Sequence, residues 1–348
     1  MTWRELAVPQ LINLKSVLVI DVRSPGEHEA ERIPDSKNVP LLSDLERAEV
    51  GTIYKQEGEM VARRYALKLI SPKIPSLVET IVEQRQHGQA LVVYCWRGGL
   101  RSESVCSVLS IAGIDCFRLT GGYKAWRGQV LKDFSDDAYP FDPIVLVGLT
   151  GTGKTDILSA LAAKGVAVLD LEALANHRGS VFGGLGLGEQ PTQKNFDARL
   201  WQQLRQLQNT TVFLEGESRK IGRIALPDCV FNRIDNGKHV LVTGSVARRS
   251  KRIADDYLAH NPEKETEKAL QLLDHLKERL GTKMVAQLKA DLSEGRILQA
   301  VETLLVEYYD PLYRRQIERC SPFLTEVDGD DVSGAADKLA SLVRTSTR

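Results

Sequence analysis

The chain has 348 residues, which is long for one domain and makes two domains the natural expectation. Hydrophobic residues make up 43% of the sequence and charged residues 26%, as in an ordinary water-soluble protein with a sizeable core. Lysine plus arginine and aspartate plus glutamate each total 46, so the formal net charge is zero and overall charge favours no partner. Any nucleic-acid site must therefore be a local basic patch.

The cysteines and the N-terminal residues indicate in which cellular compartment the protein acts. The odd number of cysteines and the lack of any C-x-x-C spacing argue against a disulfide framework and a zinc site, and are typical of a reducing compartment. No charged leader precedes an apolar core, and no run approaches the roughly 18 apolar residues of a membrane span. We expect a cytoplasmic protein that does not act at a membrane. The five cysteines are Cys95, Cys106, Cys116, Cys229 and Cys320.

The first part of the chain alternates short apolar runs with a helical pattern. Apolar, β-branched segments at 16–25, 90–95 and 115–119 predict buried parallel strands. Apolar residues at helical spacing between the last two strands predict a helix that Gly113 closes, so this part forms a βαβ unit. An acidic stretch with two prolines follows at 133–143 and marks a domain boundary. We therefore place a first domain at residues 1–135 and a second at 141–348.

The second domain repeats the alternation of strands and helices. A strand, a glycine loop and a helix open it at 144–165, and a final strand–helix pair closes it. The segment at about 264–318 is predicted to be nearly all helical, with the apolar residues of 265–280 on one face. The predicted fold class is α/β, with a parallel-sheet domain followed by an NTPase-like α/β domain that contains a helical insertion. Further predicted strands lie at 166–172, 210–218 and 239–244.

The stretch "YCWRGGLRS" (94–102) places a cysteine at the end of a predicted parallel strand, where open α/β sheets hold ligands. Gly98 and Gly99 let the loop curl so that several N–H groups face one point. A helix N-terminus stabilises an anion by about 0.3–1 kcal/mol, up to ~2 when partly buried, and each hydrogen bond to a charge adds about 1.5–3 kcal/mol. A thiolate therefore needs the loop amides as well. We predict Cys95, Arg97 and Arg101 as catalytic; a buried structural cysteine is the alternative.

The stretch "GLTGTGKT" (148–155) matches the complete phosphate-binding-loop pattern between a strand and a helix. Loop N–H groups cradle phosphates, the lysine reaches the distal phosphate, and the threonine hydroxyl is able to ligate Mg²⁺. The pattern leaves open which phosphate compound binds. The predicted phosphate-binding residues are Gly148, Gly151, Gly153, Lys154 and Thr155.

Other residues of the second domain are supporting candidates. Glu215 and Glu217 follow one predicted strand and Asp170 follows another, so each is a candidate metal-facing carboxylate or a solvated acid at a strand end. His177 and Arg178 precede a loop with four glycines in eleven residues, 176–186, which predicts a close approach to a ligand or a flexible loop. The cluster "ARRSKR" (247–252) is a phosphate clamp, an RNA contact or a solvated face. Its cations are Arg248, Arg249, Lys251 and Arg252.

Three segments resemble, in order, the sequence marks of the rhodanese domain over about residues 3–130. They are "DVRSPGEHEAERIPDSKNVPL" (21–41), "YCWRGGLRS" and "GGYKAWR" (121–127). The resemblance implies that Cys95 carries sulfur or selenium as a persulfide or perselenide, and that Asp21 and Arg23 match the family's acid and arginine. The chain departs from the usual pattern at "EAERIPDSKNVPL", where the family's residues are structural.

The order of the two domains, with the segments 170–186, 190–196 and 307–316, is similar over essentially the full chain to the bacterial tRNA 2-selenouridine synthases. This resemblance implies two steps on wobble 2-thiouridine of tRNA: alkylation of the 2-thio group by geranyl diphosphate, then replacement of the geranylthio group by selenium from selenophosphate. It implies tRNA as partner, these two co-substrates, and no tightly bound cofactor, with Mg²⁺ as an open possibility. Our hypothesis is that the phosphate loop holds a diphosphate. Geranyl diphosphate is a candidate because neither step needs ATP, and a nucleotide remains the alternative.

Alternatives remain open both for the residues that contact RNA and for the overall function. Arg314 and Arg315 join the 248–252 cluster as candidate RNA contacts, and Arg63–Arg64 is a further one. Three tyrosines are candidates either for base stacking or for core packing: Tyr308, Tyr309 and Tyr313. The first rival function is a sulfurtransferase coupled to a P-loop kinase or NTPase that acts on a small molecule. The second is a redox-sensing or phosphate-sensing module without enzymatic activity.

Overall fold

The structure is a computed structural model that describes residues 3–258 and 262–344. It divides into two compact units, Met1–Asp136 with Thr192–Gln202 and Asp137–Pro191 with Gln203–Arg348. The division falls within the acidic 133–143 stretch. Thr192–Gln202, which the sequence pattern assigns to the second domain, packs instead with the first unit. No helix in the described part of the chain is long and apolar enough to cross a membrane.

The first unit is built on a five-stranded parallel sheet with the strand order β1-β5-β4-β2-β3. A 3₁₀ turn, Ser71–Lys73, joins its fourth and fifth helices. The predicted βαβ unit at 90–119 is confirmed. In chain order the elements are β1 Trp3–Leu6, α1 Val8–Leu11, β2 Val17–Asp21, α2 Pro25–Ala30, β3 Lys37–Asn38, α3 Asp44–Gln56, α4 Glu59–Ile70, α5 Ile74–Gln84, β4 Ala90–Tyr94, α6 Leu100–Ile111, β5 Cys116–Leu119 and α7 Gly122–Ser135.

The strand register brings the functional ends of β2 and β4 together. Asp21 pairs with Tyr94 in the parallel ladder, so the residues after both strands emerge at the same edge of the sheet. Apolar side chains of β2, β4 and α6 form the core of this unit, and Cys95, the first residue after β4, belongs to the same buried cluster. The sheet therefore places Cys95 where the sequence pattern predicts it.

Helices α3 and α4 form a hairpin that the sequence pattern did not predict. Ser43 caps α3 by accepting a hydrogen bond from the Glu46 amide, and the Glu46 carboxylate accepts one from the Ser43 amide. Lys73 forms an ion pair with the same Glu46 carboxylate at 2.5 Å. Within α3 and α4, Ala62 is the one fully buried residue, so the hairpin contributes little to the core.

The second unit is also built on a five-stranded parallel sheet, ordered β12-β11-β6-β8-β7. Helix α10 begins in the first unit and ends in the second. In chain order the elements are β6 Asp142–Val147, α8 Lys154–Ala163, β7 Val168–Leu169, α9 Leu171–Ala175, α10 Gln193–Leu207, β8 Thr211–Glu215, β9 Lys220–Ile221, β10 Ile224–Ala225, α11 Asp228–Asp235, β11 Lys238–Thr243, α12 Val246–Leu258, α13 Pro262–Leu272, α14 Lys277–Ser293, α15 Ile297–Leu304, α16 Asp310–Arg319, β12 Thr325–Asp328 and α17 Val332–Arg344.

Two features of this unit refine the sequence prediction. The strand expected at 166–172 is only β7, because Asp170 caps α9 by accepting a hydrogen bond from the Ala173 amide at 2.8 Å. The helical segment is confirmed, with a 3₁₀ turn at Leu273–Leu276 and a π turn at Leu305–Tyr309. Its buried apolar residues form a separate core that also includes residues of the glycine-rich loop.

Candidate active sites

The cysteine loop places Cys95 directly after β4 with its thiol 3% exposed. The Sγ of Cys95 lies 3.2 Å from the hydroxyl oxygen of Ser102, in the first turn of α6. The same hydroxyl donates to the Gly99 carbonyl at 3.1 Å. The hydroxyl of Ser102, which the sequence pattern did not single out, is therefore a direct partner of the sulfur.

The glycines of the cysteine loop are required by a close backbone approach. Gly98 has a φ of +65°, and a Cβ there would lie 2.6 Å from the Leu119 carbonyl oxygen. Gly122 has a φ of +58°, and its Cβ would lie 2.2 Å from the Cys95 carbonyl oxygen and 2.5 Å from the Gly98 nitrogen. These are distances that no side chain tolerates. The "RGG" and "GGY" segments are thus packed against each other, which explains why both occur in one sequence.

Asp21 and Arg23 form a fully buried ion pair beneath this loop. The Arg23 Nη2 lies 2.7 Å from the Asp21 carboxylate, and the guanidinium lies over the Tyr123 ring at 4.6 Å. Burial opposes the charge on Asp21, but hydrogen bonds from His28 and Arg23 outweigh it and lower the pKa of Asp21. The pair holds the ends of β2 and β4 in place rather than facing a ligand.

The two predicted catalytic arginines differ in their contacts. Arg101 forms an ion pair with Glu27 at 2.7 Å, and Glu27 also pairs with Arg47 at 2.9 Å. Arg97 is exposed, and the described residues provide it with no ion pair. Both arginines and Cys95 line one cavity. Arg97 is therefore the cation of this loop that remains available to an anion.

The phosphate-binding loop has the predicted geometry between β6 and α8. Gly151 and Gly153 have φ values of +79° and +89°, and a Cβ on Gly148 would lie 2.3 Å from the Val242 carbonyl oxygen. The Lys154 ammonium lies across the loop, 3.4 Å from the carbonyl oxygens of Gly148 and Leu149. The Thr155 hydroxyl donates to the Glu215 carboxylate at 2.7 Å. Glu215 thus lies where a metal-facing acid of a P-loop protein is expected.

Three carboxylates surround that position. Oxygens of Glu172, Glu215 and Glu217 lie within 4.8 Å of one another, and Glu172 is a member that the sequence pattern missed. Gly179, with a φ of +67°, lets the glycine-rich loop approach them, since a Cβ there would lie 3.0 Å from a Glu217 oxygen. Predicted Asp170 caps α9 instead of joining this cluster.

Burial and mutual repulsion keep this cluster protonated more than ordinary carboxylates. Burial first, and then the charge of Glu215, raise the pKa of Glu217 to about 8. Burial with the charges of Glu215 and Glu217 raises the pKa of Glu172 to about 10, and burial raises the pKa of Glu215. The Lys154 ammonium opposes each of these shifts. A cation bound here would reverse them.

His177 and Arg178 organise the glycine-rich loop. The His177 Nδ1 accepts a hydrogen bond from the Gly179 amide at 3.2 Å. Arg178 donates to the Leu185 carbonyl at 2.7 Å and lines the pocket beside the phosphate loop. Burial, together with the Arg178 charge, lowers the pKa of His177. Arg178 is thus at the pocket, whereas His177 supports the loop behind it.

Two residues of the basic cluster, Arg249 and Arg252, contact the phosphate loop. Arg249 is 1% exposed, forms a buried ion pair with Asp310, and donates to the Thr150 carbonyl at 2.8 Å. Arg252 donates to the Gly151 carbonyl at 2.7 Å and pairs with Asp156 at 2.8 Å. Both brace the phosphate loop, and the burial of Arg249 removes it from the surface available to RNA. The exposed predicted cations are Arg248, Lys251, Arg314 and Arg315.

The pocket beside the phosphate loop has a polar end and an apolar end. Its volume is about 320 Å³, and Lys154, Glu215 and Arg178 line it together with Tyr308 and Leu312. Tyr308 and Tyr309 are buried in the helical core, which favours the packing alternative for them over base stacking.

Two loops at the ends of parallel strands, one with a cysteine and one built for phosphate, define a rhodanese-like domain joined to a P-loop domain. The Rhodanese-like domain model matches residues 7–129, and the model described as "tRNA 2-selenouridine synthase AAA domain" matches residues 141–339. The chain belongs to the tRNA 2-selenouridine synthase family and is an enzyme.

The curated relatives support this assignment along nearly the whole chain. A tRNA 2-selenouridine synthase from Pseudomonas syringae pv. tomato is 34% identical, over 88% of this chain and 90% of its own length. One from Bordetella petrii is 36% identical, over 88% and 89% respectively. Among solved structures, a rhodanese-related protein from Thermoplasma volcanium covers 36% of this chain and 92% of its own, at 20% identity. Its TM-score of 0.23 adds nothing to the assignment.

Proposed function

We propose that the family activity, synthesis of 2-selenouridine in tRNA, is divided between the two sites of this chain. The name of these relatives gives tRNA as the substrate class and 2-selenouridine as the product. The phosphate-loop site performs geranylation of 2-thiouridine with geranyl diphosphate, and the Cys95 site performs selenation with selenophosphate. The free cysteines fit a reducing compartment, and we place the reaction in the cytoplasm.

Geranylation is assigned to the phosphate-loop site because an apolar cavity lies next to the phosphate-loop pocket. This cavity of about 80 Å³ is lined by aliphatic and aromatic side chains that include Phe182, Leu185 and Leu304. Thr150 and Tyr309 line both it and the phosphate-loop pocket. A ligand with a diphosphate at one end and an apolar chain at the other matches both parts. Geranyl diphosphate has this form.

The geranylation step follows from this placement. Lys154 and the loop amides bind the diphosphate and stabilise it as it leaves. The 2-thio sulfur attacks carbon 1 of the geranyl group, the carbon–oxygen bond to diphosphate breaks, and the proton of N3 passes to the departing diphosphate. The apolar cavity orients the chain, so that carbon 1 is presented to the sulfur.

The oxygen donors beside Lys154 fit a magnesium ion. Thr155, Glu172, Glu215 and Glu217 provide the hydroxyl and carboxylate oxygens that Mg²⁺ prefers. The ion would neutralise charge on the bound diphosphate. No other cofactor is needed by the proposed chemistry.

Selenation is assigned to the Cys95 loop. Cys95, Ser102 and Arg97 position selenophosphate, whose selenium attacks carbon 2 of the S-geranyl base. The carbon–sulfur bond breaks, and geranylthiol leaves with the proton of selenophosphate. Water then cleaves the selenium–phosphorus bond, giving its hydroxyl to phosphorus and its proton to N3. The products are 2-selenouridine and phosphate, with no change of oxidation state.

Calorimetric titration of the full chain distinguishes geranyl diphosphate from the nucleotide of the rival kinase or NTPase function. With Mg²⁺ present, we expect geranyl diphosphate to bind at least about tenfold more tightly than inorganic diphosphate, because only the former fills the apolar cavity. Lys154→Ala should weaken both. Tighter binding of ATP than of geranyl diphosphate would replace this proposal with the kinase or NTPase function.

A further inference from the structure

A second apolar cavity, much larger than the first, opens at Cys95 within the first unit. Its volume is about 1080 Å³, just above the roughly 300–1,000 Å³ range of small-molecule sites. Cys95 and the following Trp96 lie on one side of it, and helices α3 and α4 form the other. Neither a thiol nor selenophosphate alone requires a space of this size.

The α3–α4 hairpin is built to present an apolar surface to this cavity. A helix in a protein is normally stabilised by burying an apolar face, yet Ala62 is the one buried residue of these two helices. Tyr54, Leu67 and Leu100 line the cavity and remain 55%, 62% and 50% exposed. The apolar side of the hairpin therefore faces a void that an apolar ligand would fill.

We propose that this cavity holds the geranyl chain of the S-geranyl intermediate while selenium replaces the geranylthio group at Cys95. The inference rests on the proposed function, because that function places a base carrying a ten-carbon chain at this thiol. The sulfur of the geranylthio group is bonded directly to the geranyl chain. When this sulfur is displaced next to Cys95, the geranyl chain must therefore lie in the space that adjoins the thiol. The structure provides an apolar space there.

The charge at the cavity complements a nucleic acid that carries such a chain. Arg97 and Lys55 line the cavity, and the described residues offer neither of them an ion pair. Arg101 and Arg47 line it as well and share the single carboxylate of Glu27, which offsets one of their two charges. The cavity thus combines apolar walls with available cations, as binding of a prenylated nucleotide requires.

Hydrogen–deuterium exchange of the full chain locates the geranyl chain without depending on turnover. The probes are two synthetic anticodon stem-loops, one with S-geranyl-2-thiouridine and one with S-methyl-2-thiouridine, measured with excess geranyl diphosphate to occupy the phosphate-loop pocket. We expect extra protection of amides in α3 and α4 with the S-geranyl stem-loop only. Protection that depends on the geranyl group but is confined to residues 246–309 would overturn the inference. So would the absence of any protection that depends on the geranyl group.

A matched pair of variants on α4 provides the second test. Leu67 lines the cavity and is 62% exposed, whereas Met60 is 63% exposed and does not line it. Leu67→Glu should remove the geranyl-dependent protection and raise the half-saturating concentration of S-geranyl stem-loop in selenation at least about tenfold. Met60→Glu should change neither. Equal behaviour of the two variants contradicts the cavity assignment.

The cavity inference and the proposed function fail in different ways. If the wild-type chain forms no selenouridine from the S-geranyl stem-loop, the proposed function fails, whatever the exchange pattern shows. If it forms selenouridine but Leu67→Glu matches the wild type in both measurements, only the cavity inference fails.

Discussion

The Sγ of Cys95 and the hydroxyl oxygen of Ser102 lie 3.2 Å apart, and both side chains are buried. The hydroxyl has one proton, which it donates either to the Gly99 carbonyl at 3.1 Å or to the sulfur. When the Ser102 hydroxyl donates to the Gly99 carbonyl, its oxygen is free to accept from a Cys95 thiol. When it rotates to donate to the sulfur, it matches a Cys95 thiolate. Ser102 is therefore a positioning residue for the anionic form of Cys95.

Ser102→Ala is expected to slow selenation about 10- to 100-fold while leaving geranylation unchanged. The physical reason is the loss of a hydrogen bond to a charged sulfur, which contributes about 1.5–3 kcal/mol. The half-saturating concentration of selenophosphate should also rise, because Ser102 and Cys95 position that substrate. Single-turnover selenation of preformed S-geranyl stem-loop, followed across selenophosphate concentration, measures both effects.

Ser107→Ala is the control for this change, since Ser107 lies on the same helix outside the loop. It should leave both the rate and the half-saturating concentration of selenophosphate unchanged. A half-saturating concentration for Ser102→Ala that coincides with the wild type would show that Ser102 serves packing only.

Gly122→Ala is expected to destabilise the first unit strongly and to abolish selenation. An added Cβ would lie 2.2 Å from the Cys95 carbonyl oxygen, in addition to the strain of a φ of +58°. Gly113→Ala is the matched control, because Gly113 has a φ of +76° with nothing within 4 Å of its Cβ. Strain alone costs about 1–2 kcal/mol, so urea unfolding should show a clearly larger loss for Gly122→Ala. Equal losses would mean that the close approach is not enforced.

Glu217→Gln is expected to stabilise the ligand-free protein more at pH 9 than at pH 5. Burial and Glu215 raise the pKa of Glu217 to about 8 from 4.5. A carboxyl group whose pKa is raised on folding costs no stability below the unfolded pKa. It costs progressively more as the pH rises from the unfolded pKa to the folded one, and the cost is constant above that. Gln carries no such charge and removes that cost.

Thermal unfolding without Mg²⁺ or diphosphate measures this difference. Glu83→Gln, at an exposed position of α5, should shift Tm equally at both pH values. If Glu217→Gln changes Tm by the same amount at pH 5 and pH 9, the raised pKa of Glu217 is wrong.

Arg249→Ala and Arg248→Ala should separate structural support from RNA binding. Removing Arg249 leaves the Asp310 carboxylate buried without its partner, which costs about 3–5 kcal/mol of unfolding free energy. It should not alter the salt dependence of tRNA binding. Arg248 is exposed, so its removal should reduce the slope of log K against log salt by about one without loss of stability. A reduced slope for Arg249→Ala would return it to the RNA surface.

The parts of the sites that the sequence predicted are those encoded within one strand–loop–helix segment. The Cys95 loop and the phosphate loop each combine a buried strand, fixed glycines and a following helix, and such short-range patterns determine their own geometry. Glu172 was missed because α9, not a strand end, brings it to Glu215. The sequence left the role of Arg249 open among a phosphate clamp, an RNA contact and a solvated face, because its partner, Asp310, lies 61 positions away.

The α3–α4 hairpin escaped prediction for a different reason. Its apolar residues do not form one continuous face: Leu67 lines the cavity, whereas Leu45 and Met60 are exposed away from it. The segment therefore lacks the apolar stripe that identifies a packed helix in a sequence.

Mass spectrometry of tRNA nucleosides after sequential addition of geranyl diphosphate and selenophosphate tests the division of labour between the two sites most directly. Cys95→Ala should accumulate S-geranyl-2-thiouridine and form no 2-selenouridine. Lys154→Ala should form neither product from 2-thiouridine, yet convert preformed S-geranyl RNA to 2-selenouridine at the wild-type rate. Geranylation by Lys154→Ala at the wild-type rate, or loss of both steps in Cys95→Ala, would contradict the account.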